Sequence, residues 1–96
     1  DVINIGGEKV MPNEIEEIIK QIQEIEDVVA FVINNEIFGK TIKINVIKKK
    51  NSNLDKIKIL SYCLKNLEKF KIPSKIEFVE TIPKNEYGKV KRSMLK

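Results

Sequence analysis

One lysine in this chain stands in a setting unlike the others. Lys89 follows Gly88 and precedes Val90-Lys91-Arg92, at the end of the stretch Ile82-Pro83-Lys84-Asn85-Glu86-Tyr87. Gly88 can take φ > 0, which lets the backbone approach a ligand closely. Pro83 fixes φ where the chain enters the stretch. The ammonium beside Gly88 is a mobile point charge with three donors, suited to phosphate or carboxylate oxygens that gain charge during a reaction. A Gly-Lys pair alone specifies little, because the chain holds seventeen lysines in 96 residues.

Several other chemistries are closed. The chain has no histidine, which removes serine–histidine and cysteine–histidine catalysis and histidine metal sites. Cys63 is the single cysteine; no internal disulfide is possible, and among Ile59, Leu60 and Leu64 it reads as a small core residue. Gly39-Lys40-Thr41 resembles the end of a phosphate-binding loop, but position 34 is Asn34 where that pattern needs glycine. Thr41 also opens a strand-like run where a helix would be required.

The net charge of +4 conceals an asymmetry, with −7 over residues 1–36 and +11 over residues 37–96. A basic C-terminal half could attract polyanions, nucleic acid, a nucleotide or coenzyme A among them. A non-enzymatic nucleic-acid-binding module is thus a distant alternative. It lacks the usual support, since the six aromatic residues are scattered and Arg92 is the lone arginine. No apolar run approaches the roughly 18 residues of a membrane span, and no secretory signal is visible. The expectation is a cytoplasmic protein without nucleic-acid or membrane partners.

The elements that must position Lys89 follow from hydrophobic spacing. Asp1 to Ile5 is β-prone, Gly6-Gly7 turns the chain, and Glu8-Lys9-Val10 returns it, predicting a hairpin. Pro12 suits a helix start, and Ile15, Ile18, Ile19 and Ile22 follow helical spacing. Val28–Ile33 predicts a buried strand. Thr41–Ile47 predicts a second, antiparallel to it, with Ile42, Ile44 and Val46 on one face and Lys43 and Asn45 on the other. Ser52 and Asp55 have capping-box spacing, and Leu54, Ile57, Leu60, Leu64 and Leu67 mark one face of a second helix beside Ile59 and Cys63. Lys75–Val79 predicts a third strand, and Val90–Lys96 a short helix. The fold class expected is α+β: a small antiparallel three-stranded sheet flanked by helices, with an N-terminal β-hairpin. A chain that opens directly on a strand, without methionine, suggests a piece of a longer protein.

Three separated stretches together resemble one family. Gly7-Glu8-Lys9-Val10-Met11-Pro12-Asn13-Glu14-Ile15-Glu16 is similar to the Gly-x-x-Val-x-Pro-x-Glu-Ile-Glu signature of adenylate-forming enzymes. These include acyl-CoA synthetases, peptide-synthetase adenylation domains and luciferases. Phe70-Lys71-Ile72-Pro73 resembles their Tyr-Lys-x-Pro element, and residues 83–92 resemble their closing Pro-Lys-Thr-x-x-Gly-Lys-x-x-Arg motif, with Asn85 in place of threonine. Order and spacing agree across nearly the whole chain.

The resemblance implies that residues 1–96 are the mobile C-terminal domain of a longer ligase whose larger N-terminal domain, its partner in the same chain, holds ATP, Mg2+ and a carboxylic acid. The activity implied is an acyl-CoA synthetase, with loading of a carrier protein by a peptide-synthetase adenylation domain as the alternative. Lys89 would be the catalytic lysine of adenylation. Gly6 and Gly7 would border the channel for the pantetheine of coenzyme A or phosphopantetheine, where a side chain would obstruct the thiol. Lys9 would lie near coenzyme A phosphates. Family lysines at the position of Lys89 are also acetylation targets, a change that removes the charge.

Overall fold

The computed structural model describes residues 2–96, so Asp1, the first residue of the expected hairpin, lies outside the described residues. Strands β1 (Ile3–Ile5) and β2 (Glu8–Val10) form an antiparallel hairpin in which Ile3 pairs with Val10. Gly6 and Gly7 sit at φ 57° and 86°, the two left-handed central positions of a tight hairpin turn. Helix α1 (Pro12–Ile19) begins on its proline, whose missing N–H costs nothing there. It is shorter than its isoleucine spacing predicts. The helix closes at Lys20, and Ile22 reaches the core from the following turn.

The sheet has the order β3-β4-β5, formed by β3 (Ile25–Asn35), β4 (Gly39–Lys48) and β5 (Lys75–Phe78). β3 and β4 are antiparallel, with Ala30 opposite Ile44. β5, however, runs parallel to β4, with Ile76 opposite Ile44, so the sheet is mixed where an antiparallel one was expected. The cause is the intervening helix α2 (Lys56–Asn66), which carries the chain back along one face as a crossover does in any parallel pair. β5 ends at Phe78, one residue short of the Val79 expected.

Both faces of the sheet are covered. Val28, Ala30, Ile42, Ile44 and Val46 face α1, α2 and the hairpin, where they meet Ile15, Ile19, Ile59, Cys63 and Val10. On the other face Val29 and Phe31 pack against Ile82, Val90 and Leu95 of the C-terminal segment. This two-sided burial explains the nearly continuous apolar run in β3. It also buries Lys43 and Asn45, which alternation alone would leave in water.

Helix α2 differs most from expectation. Its N-cap is Asp55, whose carboxylate accepts from the Lys58 N–H at 2.8 Å, and Ser52 instead accepts from Leu54 N–H. The buried face carries Ile59 and Cys63, flanked by Tyr62 and Leu67. Ile57, Leu60 and Leu64 are exposed at 75, 40 and 63%. Both stripes have helical spacing, and only the sheet selects between them. Near the end, the chain forms a single 3-10 turn at Arg92–Met94, shorter than the helix expected there.

Candidate functional site

Residues 83–92 form a closed loop. Lys84 and Val90 make an isolated antiparallel bridge. The Lys91 N–H donates to the Pro83 carbonyl at 2.9 Å, and the Asn85 N–H donates to the Lys89 carbonyl at 2.7 Å. Asn85 is the organiser. Its side-chain oxygen accepts from the Tyr87 N–H at 2.8 Å and the Lys89 N–H at 3.0 Å, so backbone donors that point inward are satisfied. Gly88 turns the loop at φ 82°. An added Cβ would meet nothing within 4 Å, so glycine is demanded there by backbone conformation rather than by space.

Lys89 is thereby presented on an ordered turn while its ammonium remains exposed. The neighbouring lysine is used differently. Lys84 Nζ donates to Asp27 Oδ2 at 2.7 Å and fastens the loop to β3. Burial pushes the Asp27 carboxyl up, but its bonds with Lys84 and the Val28 N–H, with Lys20 nearby, outweigh this and hold it below its ordinary value of 3.8. Val90 and Ile82 pack the base of the loop on the sheet.

The hairpin lies elsewhere. Gly6, Gly7 and Lys9 are exposed, and Lys9 pairs with Asn4 across the ladder. Val10 anchors the hairpin in the core on the α1 and α2 face, whereas Val90 anchors the lysine loop on the opposite face. The sheet therefore separates the two groups of expected site residues. An added Cβ at Gly6 or Gly7 would likewise meet nothing within 4 Å of this chain; their positive φ is what calls for glycine here.

Sequence reasoning passed over two polar residues that support the site. Glu16, part of the first signature, accepts from the Ala30 N–H at 2.8 Å. Arg92, at the end of the third, donates to the Ala30 carbonyl at 3.0 Å. Their common appearance in motifs was the available signal; their convergence on one residue of β3 was not visible. Cys63 is fully buried and its thiol is pushed up to about 11 by that burial, which keeps it un-ionised and unreactive.

The sequence profile of the AMP-binding enzyme C-terminal domain matches residues 14–89. The chain belongs to that family. Among relatives, a 3,4-dihydroxybenzoate–[aryl-carrier protein] ligase of Bacillus anthracis is 36% identical over 99% of this chain, and a long-chain-fatty-acid–CoA ligase of Haemophilus influenzae is 35% identical over all of it. The crystal structure of apo MatB from Rhodopseudomonas palustris superposes with a TM-score of 0.91 at 30% identity, over 97% of this chain and 19% of that one. The chain spans about a fifth of each relative's length, namely 22 and 17% of the two ligases. The family match ends at Lys89, inside the loop of residues 83–92.

Proposed function

We propose that the chain is the mobile C-terminal domain of an ATP-dependent acid–thiol ligase, most simply an acyl-CoA synthetase, and that Lys89 is its adenylation lysine. The reaction joins a carboxylate to the α-phosphate of ATP, releasing pyrophosphate, and then passes the acyl group from the adenylate to a thiol, releasing AMP. The supporting observation is the placement of Lys89 and the Gly6-Gly7 hairpin on opposite faces of one sheet. Two groups so placed fit a domain that turns between the half-reactions.

In the first half-reaction two anions have to meet. The Lys89 ammonium, held out on an ordered turn, lowers their repulsion most where charge accumulates. Asn85 keeps the turn closed, and Gly88 leaves its surface low, so that the backbone can approach the phosphate region. In the second half-reaction the hairpin faces the acceptor. Gly6 and Gly7 offer a surface without side chains along which a pantetheine arm can pass, and Lys9 on the same hairpin can meet phosphate. Holding ATP, Mg2+ and the acid falls to the larger domain.

The acceptor is coenzyme A in the leading reading. Loading of a carrier protein is the second, favoured by the aryl-carrier-protein ligase among the relatives. The test compares wild type with Lys89→Ala in the complete enzyme. Carboxylate-dependent ATP–pyrophosphate exchange should fall about 10²–10³-fold, with thioester formation from a supplied acyl-adenylate largely retained. Unchanged exchange in a demonstrably active enzyme would reduce Lys89 to a surface lysine.

A further inference from the structure

Two motif residues 76 positions apart, Glu16 and Arg92, hold the same peptide backbone. β3 is an outer strand of the sheet, so backbone groups on its free side have no strand partner. Ala30 on this strand is fully buried, and a buried N–H or C=O must be bonded. Its N–H donates to Glu16 Oε2 at 2.8 Å, and its carbonyl accepts from Arg92 Nη1 at 3.0 Å. Glu16 thus binds α1 to the strand edge. Arg92 binds to the same edge the segment that leaves Lys89, only three residues earlier.

That segment is held a second time. The Lys96 carbonyl accepts from Lys43 Nζ at 2.5 Å and from Asn45 Nδ2 at 3.3 Å, both on β4 beneath it. Lys43 and Asn45 are only 4 and 6% exposed, and Lys43 also donates to Glu77 Oε1 at 2.6 Å. Between the two holding points Leu95 packs against the sheet. Without them, the loop would be held by its own turn bonds, by Lys84 and by the packing of Ile82 and Val90, and its outgoing arm beyond Lys91 could shift. A guanidinium suits the first point. It is permanently charged, planar and weakly hydrated, and so loses little in reaching a buried carbonyl.

We infer that Arg92 is a positioning residue for Lys89. By bonding the Ala30 carbonyl it straps the outgoing arm of the loop to the edge of the sheet, and Lys43 and Asn45 fix the far end of the strap. The inference rests on the reading of Lys89 as the adenylation lysine. A misplacement of about 1 Å at a reacting group can cost on the order of a hundredfold in rate, so a tether of this kind governs the adenylation step and leaves thiol transfer, served from the opposite face, untouched.

The test uses Arg92→Met, with Arg92→Lys as the conservative variant and Lys89→Ala as the reference. In the 96-residue protein, amide hydrogen exchange should show Lys89 and Lys91 losing protection roughly tenfold in Arg92→Met, with the amide of Ile44 unchanged. In the complete enzyme, kcat for ATP–pyrophosphate exchange should fall about ten- to a hundredfold at nearly constant KM for ATP. Thioester formation from supplied acyl-adenylate should be retained, and Arg92→Lys should recover part of the loss. Unchanged protection of Lys89 and Lys91 would overturn the strap. Reduced protection with full exchange activity, where Lys89→Ala abolishes exchange, would overturn the positioning role. If Lys89→Ala itself leaves exchange intact, the reading of the lysine fails, and the strap stands or falls on the amide data. Should Arg92→Met not fold, Arg92→Gln carries the same comparison.

Discussion

Asn85 shows how a single residue can be a departure from a motif and still serve its geometry. The motif this loop resembles has threonine at this place; here the amide oxygen of asparagine gathers two backbone N–H groups across the turn. The longer side chain reaches both donors from one acceptor, which a hydroxyl on a shorter stem does less readily. Lys89 owes its ordered backbone to that oxygen, while its own side chain projects into solvent. The same scale decides Cys63. Its thiol is fully buried and pushed up to about 11, so neither nucleophilic attack nor ready alkylation is available to it. A thiol reagent applied to the folded protein at pH 8 should label Cys63 slowly, and denaturant should restore the rate of a free cysteine. Rapid labelling without denaturant would contradict the burial.

At the scale of elements, α2 has two apolar stripes and a choice between them. Ile59 and Cys63 enter the core, and Ile57, Leu60 and Leu64 remain outside. The Asp55 cap sets where the helix begins, and the Lys58–Glu24 ion pair at 2.7 Å ties its first turn to the turn before β3. This makes a prediction about stability that intrinsic hydrophobicity alone would get wrong. Ile59→Ala should cost about 2–5 kcal/mol in urea unfolding of the 96-residue protein, because it leaves a cavity among packed side chains. Leu64→Ala, on the exposed stripe, should change stability by no more than about 0.5 kcal/mol. A reversal of that order would mean the helix is rolled the other way.

Across the whole molecule, one sheet separates the two groups of proposed site residues. The hairpin stands on the helical face and the lysine loop on the other, and the loop reaches β3 through the Lys84–Asp27 pair. That pair links residues 57 positions apart and titrates. Because the folded protein holds Asp27 below its ordinary value of 3.8, the folded state binds this proton less readily than the unfolded chain. The contribution is therefore complete above about pH 5 and is lost as pH falls through the lower, folded value. Asp27→Asn should destabilise the protein by up to about 1 kcal/mol at pH 7, and the difference from wild type should shrink as pH falls through the folded value of Asp27. A difference that persists unchanged in acid would show that packing rather than charge holds the loop.

Much was determined by the sequence alone. The hairpin turn is written in Gly6-Gly7, since two successive left-handed positions exclude most other residues. The start of α1 is written in Pro12, and the β3–β4 pair in its isoleucine and valine runs. The family, and with it Lys89 as the candidate site, was legible because three motifs occur in order at matching spacing. Tertiary structure decided what local pattern leaves degenerate. The direction of β5 depends on where α2 returns the chain, and the buried face of α2 depends on which stripe the sheet meets. The burial of Lys43 and Asn45 depends on a C-terminal segment some fifty residues away folding over them. So does the meeting of Glu16 and Arg92 at Ala30, because a peptide group on an edge strand takes its partners from whatever the fold brings beside it.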